Sequence, residues 1–139
     1  MGKKKVEKDV ISKILLAREE DWVEDRTKLQ IYTTDGMMRE FTDEQCCCER
    51  RYMTLNEDVE YFIGATYLGY DVSEFKRDTY DDEMIESQFL NIRTNKGVFT
   101  VVNHNEHNGY YGGFGVKMTH KPVNPTNGTE LLEKIKKKK

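Results

Sequence analysis

The spacing of apolar residues changes character twice along this chain. Val6, Val10, Ile11, Ile14 and Leu15 recur at helical intervals, with Lys, Glu and Asp between them. That spacing predicts a short amphipathic helix ending near Glu20. From Leu29 the period falls to about two. Leu29 to Thr33, the Thr34-Asp35-Gly36 turn and Met37 to Phe41 read as strand, turn and strand, because Asp-Gly supplies the backbone freedom a tight hairpin needs. A third strand is expected from Cys46 to Leu55. Asn56 to Gly64 reads as a turn or two of helix, with Asn56 as N-cap, acidic residues in the first turn and Gly64 at the end.

Strand character resumes from Ala65 to Val72, toward Phe75, and the acidic run from Asp78 to Glu83 reads as a loop. Three further strands are expected: Ile85 to Arg93, Gly97 to Asn103 and Tyr110 to Met118. Asn95-Lys96-Gly97 turns between the first two. Between the last two, His104 to Phe114 reads as a hairpin tip that combines imidazoles, amides, aromatics and glycines. Pro122 and Pro125 close the domain, and Thr129 to Lys139 reads as a terminal helix whose lysines suit its C-terminal dipole.

The connections are too short for parallel crossovers, so the strands must be antiparallel. The expected fold is mainly β (α+β): an antiparallel two-layer sandwich or partly open barrel of about six to seven strands. The N-terminal amphipathic helix lies outside it. Residues 1–26 would form helix and basic tail, 27–120 the β domain, and 121–139 a lysine-rich tail. The N-terminal apolar stripe needs a covering surface, and a second copy of the chain would supply one, so a homo-oligomer is expected.

Composition narrows the class. The chain has 139 residues, of which 37% are hydrophobic and 11% aromatic, enough for one domain with a modest core. No apolar run approaches the ~20 residues that span a bilayer, and Met1 to Asp9 lacks the apolar core of a signal peptide. A cytoplasmic location is expected, with no membrane partner. There, Cys46, Cys47 and Cys48 read as thiols rather than a disulfide framework.

The net charge of −3 conceals lysines crowded at both ends, Lys3 to Lys13 and Lys134 to Lys139, around an acidic body. An acidic body disfavours a broad nucleic-acid face, so any such contact would fall to the lysine tails.

Candidate chemistry is sparse, and no cofactor motif is present. Cys46 and Cys48 on a strand face one side and Cys47 the other, so the three cannot converge on one metal; small buried residues are the simpler account. His104 and His107 could share a zinc ion if the loop were tightly turned and a cysteine folded in. The acidic run lacks the ligand order of a calcium loop. Neither reading assigns a metal. Arg50 and Arg51 should place one guanidinium on each sheet face, and Arg93 sits late on another strand; each suits phosphate or a surface ion pair. Tyr110 and Tyr111 alternate faces, so one is free to stack on a base. His104 is a second stacking surface, and Asn108 either reads a base edge or holds the Asn-Gly turn.

Cys47-Cys48-Glu49 leading into a strand, Asp58-Val-Glu-Tyr-Phe-Ile-Gly64, and Asn108-Gly-Tyr-Tyr111 after a strand occur in one order. This order resembles a family of small, uncharacterised proteins encoded by phages and prophages. The similarity runs from about Leu29 to Met118, and the third cysteine and His107 depart from the pattern. The resemblance implies a viral accessory protein of β-rich fold in a host cytoplasm, with no established activity and no functional residue to carry over.

Two functions are expected to compete. One is a non-enzymatic binding protein that sequesters a (cyclic) nucleotide signal of host defence, using Arg50, Arg51 and Arg93 for phosphates and His104, Asn108, Tyr110 and Tyr111 for bases. The other is an interaction protein that blocks a host enzyme or nucleic-acid complex, its acidic body imitating phosphate. A metal-dependent enzyme trails both.

Overall fold

A computed structural model of the chain describes residues 9–20, 25–43, 49–74, 76–80, 83–107 and 113–123. The strands are β1 (Ile11–Glu20), β2 (Asp25–Thr33), β3 (Met37–Asp43), β4 (Arg50–Thr54), β5 (Tyr67–Val72), β6 (Lys76–Tyr80), β7 (Glu83–Thr94), β8 (Gly97–His107) and β9 (Val116–Pro122). They form two antiparallel sheets. One runs β1-β2-β3-β9; the other runs β4-β8-β7-β5, with β6 following β5 along the same edge of β7. The sheets pack as two layers and do not close into a barrel.

Alternation along the strands fills the space between the layers. Leu29, Ile31 and Phe41 face inward from one sheet; Met53, Leu90, Ile92, Phe99 and Val101 face them from the other. Full burial of each such side chain stabilises the fold by about 1.5–3 kcal/mol. Phe62, on the 3-10 turn Glu60–Phe62, closes one end with its ring centroid 5.0 Å from that of Phe99. Backbone bonds pin the layers together there: the Tyr67 N–H donates to Asp9 O and the Ile11 N–H to Ala65 O, both at 2.8 Å. Further along, the Met53 N–H donates to the Thr27 hydroxyl, tying β4 to β2.

The expected N-terminal helix is a strand. Ile11, Ile14 and Leu16 all face the core, opposite Thr33, Ile31 and Leu29. The pairing slips between Ile11 and Lys13, so an extra residue separates Ile11 from Ile14. This bulge turns a period of two into a spacing of three, which imitates a helix. Of the stripe, Ile11 and Ile14 therefore pack in the chain's own core, and Val6 lies outside the described residues.

The second correction concerns the expected hairpin tip. β8 continues to His107, and β9 pairs with β3 in the other sheet, so β8 and β9 do not form a hairpin. Of the acidic run expected as a loop, Asp78 lies on β6 and Glu83 on β7, both exposed along a sheet edge; Asp81 and Asp82 lie outside the described residues. The helical turn between Asn56 and Gly64 is flanked by Val59 rather than capped by Asn56; the Asp58 carboxylate accepts the Glu60 N–H at 3.0 Å. Pro122 ends β9 opposite Met37, on an edge strand that tolerates a missing N–H. The cysteines, Asn108, Tyr110, Tyr111, Lys3 to Lys8, Lys134 to Lys139 and the expected C-terminal helix lie outside the described residues.

Candidate functional site

Strand β8 carries two clusters, one on each face. Phe99, Val101, Asn103, Asn105 and His107 alternate inward and are all buried. The inner face is thus apolar for half its length and polar for the rest. Across the polar half stand Gln88 and Glu86 on β7, with Met53 and Arg51 on β4. Asp43 at the end of β3 and Glu49 just before β4 complete the group.

Its charges are paired. Arg51 Nη1 donates to both Asp43 oxygens at 2.9 Å, and Nη2 donates to Glu49 Oε2 at 2.8 Å. Burial alone would lower the Arg51 pKa, but these two carboxylates outweigh it and hold the guanidinium above its ordinary value. Glu86 has a fully buried carboxylate. Its Oε2 accepts from Arg77 Nη2 at 2.7 Å, and its Oε1 accepts the Gly113 N–H at 2.9 Å. His107 Nε2 is 2.9 Å from the same Oε1 and carries the proton, since a carboxylate only accepts. Burial pushes the Glu86 carboxyl up, yet the donors from Arg77, Gly113 and His107 prevail and hold it below the ordinary carboxylate range.

The two asparagines differ from their neighbours. Asn105 Nδ2 donates to Glu49 Oε2 at 2.9 Å and to Gly113 O at 3.2 Å, but its Oδ1 has no partner. Asn103 is 1% exposed, and neither its Nδ2 nor its Oδ1 has a hydrogen-bond partner in the described structure.

On the outer face, Tyr52 of β4 stacks on His104 of β8, centroids 4.6 Å apart and rings 15° from parallel. The Arg50 guanidinium lies 4.8 Å from the Tyr52 ring centroid, and the Tyr52 hydroxyl donates to Glu106 Oε2 at 2.5 Å. Burial, and then that bond, push the Tyr52 hydroxyl up. His104 Nε2 sits 2.8 Å from Thr54 Oγ1; burial pushes its pKa down, and Glu106 offsets part of that.

A family model for a domain of unknown function, DUF7448, matches residues 1–116. The chain belongs to the DUF7448 family. No curated protein and no solved structure matches it. The DUF7448 match takes in β1, which the sequence resemblance had left outside, and reaches the first residue of β9.

The expected site residues therefore separate. Arg50 and His104 come together on the outer face, but the Tyr52 ring they flank was not anticipated. Arg51 points inward, as the alternation predicts, and its guanidinium is held by carboxylates rather than open to phosphate. Arg93 lies across Gly69, whose φ of +140° and missing Cβ make room for it, and its Nε is 3.6 Å from Asp71 Oδ2. Arg93 pairs with Val98 and Arg50 with Glu106, eight residues apart on β8, so the two arginines stand roughly 27 Å apart along the strand. They cannot grip one small ligand together. His104 and His107 face opposite sides, so they cannot share a metal. Asn103, Asn105, Glu86, Glu49 and Asp43 were missed, although polar residues at every second position after Phe99 and Val101 were a readable signal.

Proposed function

We propose that this DUF7448 domain is a phage-encoded, non-enzymatic binding protein that sequesters a host-defence nucleotide, a cyclic nucleotide foremost, in the host cytoplasm. The Asn103 carboxamide supports this reading best. It is buried and unpaired within a cluster whose carboxylates and guanidiniums all have partners. Leaving such a group unpaired costs about 1–3 kcal/mol. A ligand that offers a donor beside an acceptor recovers that cost, and every nucleobase has such an edge. The Glu86 carboxylate and the His107 imidazole are engaged with each other, which suits holding a ligand better than moving protons. Assembly into a homo-oligomer belongs to the same proposal, with the exposed Leu68 and Val98 as the surface to be covered.

Differential scanning fluorimetry against cyclic mono-, di- and trinucleotides tests the proposal. A ligand at a hundred times its Kd stabilises the fold by about 2.7 kcal/mol, a readily measured rise in Tm. A flat response to every member of the panel defeats it.

A second reading, an interaction protein that blocks a host enzyme or nucleic-acid complex, draws on Leu68 at 61% and Val98 at 51% exposure. It gains if nucleotides leave Tm unchanged and one host protein binds the wild type but not a Leu68→Asp, Val98→Asp variant.

A further inference from the structure

We infer that the open edge of β1 pairs antiparallel with β1 of a second copy of this chain, across a two-fold axis at Leu15. Two four-stranded sheets thereby join into one continuous sheet. This rests on the homo-oligomer reading above and gives it an interface that needs no ligand and is separate from Leu68 and Val98. A strand edge turns unpaired N–H and C=O groups outward, and the other edges of this sandwich are blunted against pairing. β9 carries Lys117, Lys121 and Pro122, all exposed. β4 has five residues, and its Met53 N–H is already given to the Thr27 hydroxyl. β5 is bulged between Tyr67 and Gly69, and the five-residue β6 opens with the charged Lys76, Arg77 and Asp78.

β1 lacks such guards. It is ten residues long and pairs with β2 along one side. On the other side, the Ile11 N–H donates to Ala65 O and the Gly64 N–H to Ile11 O. From Lys13 to Ala17, no described residue continues that second pairing. Ile14, Leu15, Leu16 and Ala17 follow one another there, uncharged and each only partly buried.

Symmetry and side-chain facing select the register. Residues directly opposite across an antiparallel pair share a face, so a two-fold axis must pass where a residue meets its own copy. Ile14 and Leu16 face the core, whereas Leu15 pairs with Gln30 and lies outside that cluster. With Leu15 opposite Leu15 of the second copy, Ile14 of each chain meets Leu16 of the other, and Lys13 meets Ala17. No like charges then stand opposite one another. An axis at Leu16 would set Ile14 against residue 18, an arginine; an axis at Ile14 would set Leu15 against Lys13 and Leu16 against Ser12. The joined sheet ends in β9 at both edges, where Lys117, Lys121 and Pro122 oppose further addition, so assembly stops at two copies.

Analytical ultracentrifugation of the full chain over a range of concentrations, with Leu15→Lys and Leu15→Glu, is the test. Wild type should form a concentration-dependent dimer. Each variant should melt near wild type, since Leu15 lies outside the core, and should dissociate at least about ten-fold more readily, because two like charges then stand opposite. An equimolar mixture of the two variants should regain the dimer, since at a self-opposed position Lys meets Glu across the axis. Hydrogen exchange needs no variant: the amides from Lys13 to Ala17 that β2 does not hold should slow as the wild-type dimer forms.

A wild type that stays monomeric at every concentration overturns both this interface and the homo-oligomer reading. A dimer that survives both Leu15 substitutions overturns the β1 interface and leaves the homo-oligomer to another surface, which Leu68→Asp, Val98→Asp would then disrupt. Variants that separate and do not recombine overturn the axis at Leu15. Should both variants melt well below wild type, exchange decides: unslowed amides from Lys13 to Ala17 in the wild-type dimer overturn the pairing. Nucleotide sequestration stands or falls by the fluorimetry panel alone.

Discussion

Phe99 and Val101 on β8 face Ile92 and Leu90 on β7; a few residues further along the same two strands, Asn105 faces Glu86 and His107 faces Met84. Phe99, Val101, Ile92 and Leu90 are buried in the first stretch, and Asn105, Glu86 and His107 in the second. In the first, hydrophobic transfer and dispersion act without direction, so another apolar set of equal volume would serve. In the second, each group depends on a particular partner. An isolated buried carboxylate would take up a proton rather than stay charged, and Glu86 stays charged because Arg77, His107 and the Gly113 N–H converge on it. Burial alone therefore does not reveal a residue's task. The apolar stretch holds the layers together, and the polar stretch fixes the surroundings of Asn103 and Asn105.

Truncation should separate the two stretches. Phe99→Ala should cost about 3–5 kcal/mol, and by the same amount at pH 5 and pH 8, because nothing it touches by packing titrates there. Glu86→Ala should cost about 3 kcal/mol at neutral pH, since Arg77 and the Gly113 N–H lose their acceptor. Its folded carboxyl is held below the ordinary value near 4.5, so its stabilisation is complete above that pH. As pH falls through the lower folded value the stabilisation is lost, and the gap between wild type and Glu86→Ala should close. Urea midpoints at several pH values read both effects. If the two gaps respond alike to acid, the distinction between the stretches fails.

Much of the fold was legible in the sequence, and the misreadings have physical causes. Asp35-Gly36 announced a hairpin, and Gly36 has the φ of +81° that the turn requires. Asn95 and Lys96 turn the chain where expected, with Thr94 Oγ1 donating to Gly97 O at 2.8 Å. The first strand was hidden because a single bulge rephased Ile11 against Ile14. Strand β8 was cut short at Asn103 because its inward face turns polar there, and a period-two reading treats inward polar residues as the end of a strand. The opposite facing of Arg50 and Arg51 followed from alternation. Their partners did not: Glu106 and Asp43 are brought to them by pairing between distant strands and by the packing of one sheet on the other, which no local pattern encodes.

Those adjacent arginines give a smaller version of the same contrast. Arg51→Met should cost about 2–3 kcal/mol, because Asp43 and Glu49 lose their shared cation, while the Gly115 N–H still donates to Asp43 and Asn105 to Glu49. Arg50→Met should cost less than about 1 kcal/mol, since its pairing with Glu106 at 3.6 Å is largely solvated. Chemical denaturation of the two variants at matched ionic strength checks the ratio. Equal losses would mean that the inner network is no tighter than the outer one.

The smallest effect belongs to His104. Burial holds its folded pKa below the ordinary value of 6.5, with Glu106 only partly offsetting the shift. The unfolded chain therefore takes up this proton first as the solution is acidified. Stability should decline as pH drops through 6.5 and level off once the folded imidazole is protonated as well. Protonation places a charge in a half-buried site while adding an attraction to Glu106, so the net slope is shallow. His104→Phe keeps a ring against Tyr52 and removes the titration, so its urea midpoint should change less than that of wild type between pH 7 and pH 5.5. A slope of equal size in both proteins would place the titrating group elsewhere. The outer cluster would then be a solvated stack with no electrostatic cost of its own, and the polar end of the inner face would be the part of this sandwich where charge is held at a price.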